Sequence, residues 1–582
     1  MDVNYVTGYV RLSDIHAPSG TEITITYADS LDAKNRIDCA GAGAVFYTGS
    51  YKLDRYICKG SQAESFEPKF VFRGFRYAEI SGLPPGVKPQ AEAVNLRTDV
   101  ARNGEFACSD LMFNDFQSMF VRTLETHMHG IISDNVTRER NQWLGDCMTT
   151  RELYSWTFDM QPFWRKIVRD MQTSTESRRI GDRTFTNLVR SSTGSMRASG
   201  FSPLWSKAVI WVPWTAYVYY GDLEMLRETY PWMKALMDYC EADGPDGLMK
   251  TVMFGDWHEE SADSPKNLQP RPASTTPLLL VGNAHYFNVA RKMSLIAGVL
   301  GNKEDEARYT ALAERIRQAV IRGYYDATNR TYGSQSGDAM ALAFDLYPDG
   351  DREAVALSLA GHVAARDGHL NIGTLNGPLL VQALSETGNG ALLYEMFKKE
   401  TYPGFGFMRA MGSKTVWETW GQGTISPGVE KKGRIESSSR PVSQQALASF
   451  GDTLFYRAAA GIHPDPGHPG FKHFFLKPDM KFNAKLDSAR ASYDSPYGKI
   501  VSDWKQADGR FVWNVTIPPN TTATAHIPAV SAESVSEGGQ PLVKLSGISM
   551  TKEGNKGVKF VKMENNSAIC ELQSGNYCFE AK

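Results

Sequence analysis

The sequence predicts a multidomain protein in which β-structure at both ends encloses a large α-helical middle. Three observations lead to this prediction. Apolar and polar residues alternate near both termini, apolar residues recur at helical spacing between them, and ten of the twelve tryptophans fall between Trp143 and Trp420. A period of two is typical of a strand that buries one face, and a 3.6-residue period is typical of an amphipathic helix.

The N-terminal part is predicted to form an antiparallel sheet. In "TEITITYAD", Ile23, Ile25 and Tyr27 share one face and the threonines share the other. The stretch "FVFRGFRYAEISGLPPG" is typical of a further strand that ends in a Gly/Pro turn. Such alternation indicates a sheet with one buried and one solvated face.

The middle part is predicted to consist entirely of α-helices. "SDLMFNDFQSMFVRTLETHMHG" has helix-start residues at Ser109 and Asp110 and a stop at Gly130. Residues 276–300 and 304–323 each place apolar side chains on one stripe and are followed or closed by glycine. We therefore expect successive helices joined by turns, with longer loops between some of them.

The C-terminal part returns to the β-pattern. "RFVWNVTIP" aligns Phe511, Trp513, Val515 and Ile517 on one face, and the short alternating stretch "TTATAHIP" follows. No low-complexity linker separates the three parts, so we expect them to pack against one another.

Composition narrows the function classes. The chain has 582 residues, 42% hydrophobic and 22% charged, with a net charge of −2, which argues against a protein built to bind nucleic acid. No apolar run approaches the roughly 18–20 residues of a membrane span, and the densest run, "AVIWVPWTAYVYY", is interrupted by Pro213. We expect neither a nucleic-acid partner nor a membrane span.

The seven cysteines are scattered and form no CxxC pair, which argues against a zinc or redox site. A disulfide between Cys570 and Cys578 is one option that the sequence leaves open. After Met1 the chain enters a strand-like stretch without a signal peptide. We interpret this beginning as truncated, so a periplasmic or secreted location stays open.

An acid-rich window, "SDNVTRERNQWLGD", spans Ser133 to Asp146 and includes Asp134, Glu139 and Trp143. It is too polar for a core, so we predict a loop at the mouth of the helical part. Carboxylates there can accept hydrogen bonds from sugar hydroxyls, and an indole can cover a sugar ring. A carboxyl group among other carboxylates, against an indole, tends to keep its proton, as a general acid must. The equally weighted alternative is a solvated turn held by arginine–aspartate pairs.

A second window, "AMGSKTVWETWGQG", places Glu418 between Trp417 and Trp420. The alternative is a loop packed by its aromatic residues, with the glutamate in solvent. Together, the two windows suggest paired carboxylates across an aromatic-lined cleft, which is the equipment of glycoside hydrolysis.

A third window, "FGDWHEE", brings Asp256 and Trp257. A Gly-Asp-Trp loop suits a further sugar contact. It equally suits a turn that buries its tryptophan, and the sequence does not decide between the two.

At these residues the chain resembles the bacterial α-L-rhamnosidases of glycoside hydrolase family 78. "DNVTRERNQWLGD" keeps the family's aspartate, Arg-Glu-Arg, tryptophan and closing Gly-Asp, and "TVWETW" matches its later T-x-W-E-x-W motif. The order of further segments, such as "GFSPLWSKAVIWVPW" and "LNIGTLNGPLLVQALSETG", extends the resemblance over nearly the whole chain.

The resemblance implies a central six-hairpin (α/α) barrel flanked by antiparallel β-sandwich domains. It divides the chain into an N-terminal β-sandwich domain at 1–98, which we expect to be truncated, a barrel at 99–463 and a C-terminal β-sandwich domain at 464–582. It also implies inverting hydrolysis of terminal α-L-rhamnose from an oligosaccharide or polysaccharide, without a metal or organic cofactor.

By position in these motifs, Glu139 corresponds to the general acid and Glu418 to the general base. Asp134 and Asp146 correspond to sugar-binding acids, and Trp143 to a wall of the pocket. The carboxyl groups of an inverting pair lie about 6.5–9.5 Å apart, against about 5–5.5 Å for a retaining pair. The windows contribute further substrate-binding candidates: Arg138, Asp256, Trp257, Trp417 and Trp420.

Several positions depart from the family pattern. Asn135-Val136-Thr137 replaces Cys-Pro-Gln, which we expect to alter loop rigidity more than chemistry. Lys207 stands where an acid is common, and Gln444 and Gln445 stand where a histidine is expected, so the sugar of the first subsite stays open. Lys207 and Arg440 suggest contact with a uronate or sulfate, against the alternative that Lys207 lies on a helix surface.

Three other functions remain as alternatives. The chain could act on another deoxy sugar, such as fucose, on the same scaffold. It could be a polysaccharide lyase, although paired glutamates favour hydrolysis over the Tyr or His base that lyases use. It could also be a degenerate homologue that binds glycans without turnover. The oligomeric state, the linkage and the natural polysaccharide are left open.

Overall fold

The computed structural model describes residues 2–31, 34–38, 53–137, 139–193, 200–259, 275–420, 443–543 and 557–582. Over these residues the order predicted from the sequence, β then α then β, is confirmed. Sheets flank a ring of helices, and the helical part and the C-terminal sheets share one continuous apolar core.

The N-terminal domain is built on a sheet of strand order β5-β2-β7-β1-β6, with β8 also paired to β1. The predicted face of β2 is confirmed, since Ile23, Ile25 and Tyr27 are all buried. The strands are β1 (Asp2–Ile15), β2 (Glu22–Ala28), β3 (Ser30–Leu31), β4 (Ile37–Asp38), β5 (Leu53–Ile57), β6 (Glu64–Phe66), β7 (Arg73–Ser81) and β8 (Gln90–Asn95).

The helices of the middle part run from residue 111 to residue 459. They are α1 (Leu111–Thr126), α2 (Leu144–Thr157), α3 (Gln161–Thr173), α4 (Pro203–Ser206), α5 (Ala208–Tyr220), α6 (Leu223–Asp243), α7 (Leu278–Val299), α8 (Lys303–Tyr324), α9 (Gln335–Phe344), α10 (Arg352–Ala364), α11 (Gly377–Glu386), α12 (Gly390–Lys398) and α13 (Phe405–Ala410). A closing helix follows, made of a 3₁₀ turn, Ala446–Phe450, and a π-helix, Asp452–Ala459.

Six helical segments form a closed inner ring. Helices α2, α5, α7, α9 and α11 contact one another in this order, α11 contacts the closing helix, and the closing helix contacts α2 again. The other long helices alternate with these in sequence and pack outside them. This is the arrangement of a six-hairpin (α/α) barrel, as the family resemblance implies.

The hydrophobic pattern explains which helices are inner and which are outer. Helix α5 is apolar all round, and nearly all of its residues are buried, as expected of a helix enclosed by others. Helix α8 instead buries one stripe that contains Tyr309, Leu312 and Ile316 and exposes charged residues on the opposite face. Its first turn is capped by Asn302, whose side chain accepts the backbone N–H of Asp305. No helix in the described part of the chain is long and apolar enough to cross a bilayer.

Two packed sheets form the C-terminal part. Their orders are β12-β13-β17-β21-β20 and β19-β18-β22-β16-β15-β14-β9, and all pairs are antiparallel except β13–β17. The strands are β9 (Gly104–Cys108), β12 (Ile462–Pro464), β13 (His473–Leu476), β14 (Ser488–Ser495), β15 (Gly498–Ala507), β16 (Arg510–Ile517), β17 (Thr522–Pro528), β18 (Val535–Glu537), β19 (Gln540–Pro541), β20 (Val558–Glu564), β21 (Ser567–Leu572) and β22 (Gly575–Ala581).

The structure differs from the sequence-based expectations in three places. The middle part is not entirely helical, because strands β10 (Thr175–Ile180) and β11 (Arg183–Val189) form a hairpin between α3 and α4. Strand β9, inside the predicted barrel range, pairs with β14 and so belongs to the C-terminal sheet. Cys570 and Cys578 form no disulfide, since both are free thiols on strands of different sheets.

Candidate active site

The acid loop, residues 133–143, lies directly before α2 and is closed by its own hydrogen bonds. The backbone N–H of Asp134 donates to the carbonyl of Asn141 at 2.8 Å, and the N–H of Asn141 donates to Asp134 Oδ1 at 2.9 Å. Asp134 Oδ2 accepts a bond of 2.7 Å from Asn135 Nδ2. Asp134 is buried, so its carboxyl group organises the loop from within.

Glu139 is half-buried and is oriented at both its backbone and its side chain. Its N–H donates to Asn135 Oδ1 at 3.1 Å, and its Oε2 accepts the indole N–H of Trp143 at 2.5 Å. The indole therefore fixes the direction in which this carboxyl group points.

The predicted catalytic glutamates act on one shared neighbour, Asp146, in the first turn of α2. Burial, and to a smaller extent the negative charges of Glu139 and Glu418, raise the pKa of Asp146 to about 8. Burial also raises the pKa of Asp134 well above its usual range, with further contributions from the charge and hydrogen bond of Glu139. Like charges act on a pKa only at short range, so residues far apart in sequence meet around Asp146.

Residues 443–445, which we call the connecting strand, join the two glutamate loops through isolated β-bridges. Ser443 pairs with Trp417, and the N–H of Gln444 donates to the carbonyl of Val416 at 3.1 Å. On its other side, Gln444 pairs with Asn135. This strand thus fixes the position of the Glu418 loop relative to the acid loop.

The side chains of Gln444 and Gln445, which stand where the family pattern has a histidine, have different partners. Gln444 Nε2 donates to Asp146 Oδ1 at 2.6 Å. Gln445 Nε2 donates to the carbonyl of Ser133 at 2.9 Å, and its Oε1 accepts from Thr150 at 3.2 Å. Gln444 therefore faces the carboxyl cluster, whereas Gln445 anchors the backbone beneath it.

Aromatic side chains line the region between the acid loop and the Gly-Asp-Trp loop. Phe254 contacts Trp143, Trp205 and Trp257 with ring centroids 6.0, 4.7 and 5.7 Å apart. Trp143 and Trp257 are half-buried, so part of each indole stays exposed and can contact a ligand. The glycine before Asp146 lies against this patch, because a Cβ on Gly145 would come within 2.2 Å of the Trp205 indole.

Asp256 does not lie at the surface of this site, which corrects its assignment as a sugar contact. It is fully buried. Its Oδ2 accepts from Ser336 Oγ and Gly373 N at 2.9 and 2.7 Å, and its Oδ1 accepts from Leu375 N and Asn376 N at 3.0 and 3.1 Å. Because protein donors already satisfy both oxygens, Asp256 holds the turn before α11.

The two tryptophans that flank Glu418 are both buried. Trp420 is 1% exposed, its indole N–H donates to the carbonyl of Ile372 at 2.9 Å, and its ring packs on Phe405 and Phe450. Trp417 is 7% exposed. This corrects the assignment of Trp420 as a substrate-binding residue, since its ring packs in the core behind the Glu418 loop, whereas Glu418 itself is half-buried.

The remaining basic candidates divide into two groups. Arg138 and Arg440 lie outside the described residues. Lys207 is 3% exposed and stands at the N-cap position of α5, so it is not a helix-surface residue. Among the described residues, no hydrogen bond or ion pair joins its side chain to the carboxyl cluster.

The N-terminal domain braces the acid loop. A Cβ on Gly74 in β7 would come within 2.4 Å of Val136 Cγ2, so only glycine permits this close approach. Arg140, at a positive φ of 52°, places its guanidinium 3.9 Å from the centre of the Phe72 ring. The β-domain therefore contributes to the position of Glu139.

Sequence reasoning missed Asn135 and Phe254. Asn135 bridges Asp134 and Glu139 through its side chain, and an Asn that bonds a nearby backbone N–H is a recognisable local pattern. Phe254 lies two residues before Asp256, and no spacing rule marks it as the centre of an aromatic patch.

Comparisons with known proteins agree with this geometry. Family models match residues 4–97, 101–440 and 461–541, described as the bacterial alpha-L-rhamnosidase concanavalin-like domain, 6 hairpin glycosidase domain and C-terminal domain. An alpha-L-rhamnosidase of Streptomyces avermitilis is 29% identical over 99% of this chain and 51% of its own length. One from Formosa agariphila is 28% identical over 98% of this chain and 58% of its own length. The chain thus spans little more than half of these relatives.

Solved structures show the same architecture. The Streptomyces avermitilis alpha-L-rhamnosidase complexed with L-rhamnose superposes with a TM-score of 0.85 at 26% identity, over all of this chain and 51% of that one. A native rhamnosidase from Aspergillus terreus gives 0.82 at 20% identity, over all of this chain and 61% of that one, and bears on the fold alone.

Proposed function

Because the chain belongs to the family of bacterial α-L-rhamnosidase six-hairpin glycosidase domains, we propose that it releases terminal α-linked L-rhamnose from plant, algal or microbial glycans. The reaction is a single displacement with inversion, in which Glu139 is the general acid and Glu418 the general base. The observation that supports these roles most directly is that Gln444 bonds both the Glu418 loop, through Val416, and Asp146 at the start of α2.

Glu139 protonates the oxygen of the leaving group. This role needs a carboxyl group with a fixed direction, and the indole N–H of Trp143 supplies one by bonding Oε2. The second oxygen, Oε1, can then carry the proton toward the glycosidic oxygen. Protonation of the leaving oxygen is needed because an alkoxide is otherwise a poor leaving group.

Glu418, in its ionised form, deprotonates the water that attacks the anomeric carbon from the opposite face. Its loop is held from below by Trp417 and Trp420 and from the side by the connecting strand. A rigid support matters because the attacking water must lie in line with the bond that breaks.

Asp146 and the half-buried indoles bind the sugar. A pKa raised to about 8 keeps Asp146 mostly protonated at neutral pH, so it can donate a hydrogen bond to a sugar hydroxyl as well as accept one. Trp143 and Trp257 provide apolar surface for the face of the ring and for the methyl group of a deoxy sugar.

The test of the substrate is release of an aryl group from an aryl α-L-rhamnoside, beside the matching α-L-fucoside and α-D-mannoside. We expect the rhamnoside to be cleaved with the largest kcat/KM. Preference for another glycoside would contradict the assignment of the sugar. An unsaturated product that absorbs in the ultraviolet would instead identify a lyase, and saturable rhamnose binding without turnover would identify a non-catalytic binding protein.

The test of the stereochemistry is a proton NMR time course that begins as soon as substrate is added. We expect the β-anomer of rhamnose to appear first and the α-anomer only through mutarotation. First appearance of the α-anomer would indicate a covalent intermediate and overturn the single displacement.

A further inference from the structure

A cavity of about 300 Å³ lies inside the barrel, apart from the two glutamates. Inner helices on several sides line it, with Arg151 from α2, Trp214 from α5, Lys292 from α7 and Arg457 from the closing helix. Along α5 its lining extends from just before the helix to near its end, about 18 Å at 1.5 Å per residue. We call this space the axial cavity.

Basic side chains outnumber acidic ones in the axial cavity. Its basic residues are Arg151, Lys207, Lys292 and Arg457, and its acidic residues are Glu152 and Asp452. The two acids are engaged by the two arginines: Glu152 pairs with Arg151 at 2.9 Å and with Arg457, and Asp452 lies 3.8 Å from Arg457.

The two lysines have no such partner. In the part of the chain that the structure describes, no ion pair or hydrogen bond joins either ammonium group to another residue. Lys207 is 3% exposed, and Lys292 Nζ lies 4.1 Å from the centre of the Trp214 ring. Burial, and to a smaller extent the charge of Arg151, lower the pKa of both lysines, that of Lys292 to about 7, whereas the charge of Asp256 acts favourably on Lys207.

Protonation of these buried amines is costly unless an anion compensates the added charge. Ammonium groups donate up to three hydrogen bonds each, and guanidinium groups donate to oxyanions in a fixed fork. The indoles of Trp211 and Trp214 line the same space, with ring centres 5.1 and 4.1 Å from Lys292 Nζ.

We propose that the axial cavity is a binding site for a small oxyanion, held by Lys207, Lys292 and Arg151. Phosphate, sulfate and the carboxylate of a sugar acid share the required chemistry, and the volume admits each of them with water. The site is independent of the proposed hydrolysis, because neither glutamate lines it.

Isothermal titration calorimetry on the whole chain tests the proposal, with inorganic phosphate, sulfate and glucuronate titrated separately into a chloride buffer of matched ionic strength. We expect saturable binding of at least one anion at one site per chain. Neutral L-rhamnose is the control ligand, and its heat of binding should be the same for the wild type and for Lys292→Met. Tighter binding of glucuronate would point to a sugar acid as the source, and tighter binding of phosphate or sulfate would point to a free inorganic anion.

The variants Lys207→Met and Lys292→Met should each weaken binding of that anion at least tenfold. Lys303→Met, at an exposed position on α8, is the matched control and should bind like the wild type. Unchanged affinity in both cavity variants would overturn the proposal, as would an absence of saturable heat for all three anions with the wild type.

Thermal unfolding provides a second readout that does not require titration of the variants. Without multivalent anions, Lys292→Met should melt at or above the temperature of the wild type, because it replaces a buried amine that makes no described hydrogen bond with an apolar side chain. Addition of the bound anion should then raise the Tm of the wild type and of Lys303→Met, but not that of Lys292→Met. Equal shifts in all three proteins would contradict a site at Lys292.

Discussion

The amide of Gln444 donates a hydrogen bond of 2.6 Å to Asp146 Oδ1, across 298 positions of sequence. This bond ties the strand that carries the Glu418 loop to the helix that begins just after the acid loop. It also leaves a neutral donor beside the carboxyl cluster, so the cluster gains no cationic partner from this position.

Replacing Gln444 with Leu should lower kcat/KM by about 2- to 10-fold, because a hydrogen bond to the mostly protonated carboxyl group of Asp146 contributes about 0.5–1.5 kcal/mol. The Tm should change little, since leucine has a similar volume. The matched control is Gln318→Leu at an exposed position on α8, which should leave kcat/KM unchanged. A Gln444→Leu enzyme with wild-type kinetics would show that the bond does not position Asp146 for catalysis.

Replacing Trp143 with Phe should lower kcat about 10- to 100-fold, because the ring stays but the N–H that bonds Glu139 Oε2 is lost. Steady-state kinetics on an aryl rhamnoside measures this loss. Trp232→Phe on the outer helix α6 makes the same chemical change away from the site and should have no effect on kcat. A large rise in KM with unchanged kcat would instead assign Trp143 to binding alone.

The raised pKa of Asp146 predicts how stability depends on pH. Its folded pKa is about 8, against about 3.9 when unfolded, so its contribution is fully present below pH 4 and is lost as the pH rises through about 8. Over that window the wild type should lose up to about 1.4 kcal/mol of unfolding free energy per pH unit relative to Asp146→Asn. Urea unfolding at several pH values measures the difference.

The exposed Asp246 provides the control for this pH series. Asp246→Asn should follow the wild-type dependence throughout. If Asp146→Asn follows it as well, Asp146 does not hold a proton in the folded protein.

Replacing Asp256 with Asn should lower stability by about 2–4 kcal/mol, because an amide NH₂ group would face backbone N–H donors that the carboxylate now satisfies. The loss should appear as a lower urea midpoint. KM for the folded fraction should stay near the wild-type value, since this side chain is fully buried. A large rise in KM at unchanged stability would restore Asp256 as a sugar contact.

The contrast between Glu139 and Asp256 shows what local sequence could predict. Around Glu139 the acid loop makes most of its bonds within ten residues, so its chemistry was visible in one window. The donors that fill Asp256 come from residues 336 and 373–376, about a hundred positions away. An isolated Gly-Asp-Trp window cannot distinguish a filled acceptor from one that faces a substrate.

The fold shows the same division between local and distant information. Helical periodicity predicted α7 and α8 nearly to their ends, because their own apolar stripes determine them. Strand β9 could not be assigned to the C-terminal sheet, since its partner β14 lies almost four hundred positions away. The connecting strand at 443–445 was missed as well, since its pairing depends on the closure of the whole ring.

The central claim is that Glu139 and Glu418 act together on one bound sugar, and turnover of single variants tests it most directly. The measurement is the kcat of Glu139→Gln and Glu418→Gln on two aryl α-L-rhamnosides, one with a poor and one with an activated leaving group, beside the Tm of each protein. Glu395→Gln, at an exposed position on α12, is the control.

We expect both variants to lose about 10²- to 10⁴-fold in kcat on the poor leaving group with little change in Tm. On the activated leaving group, which needs no proton, Glu139→Gln should recover most of its rate and Glu418→Gln should not. Near-normal turnover of the poor substrate by either folded variant would contradict the account.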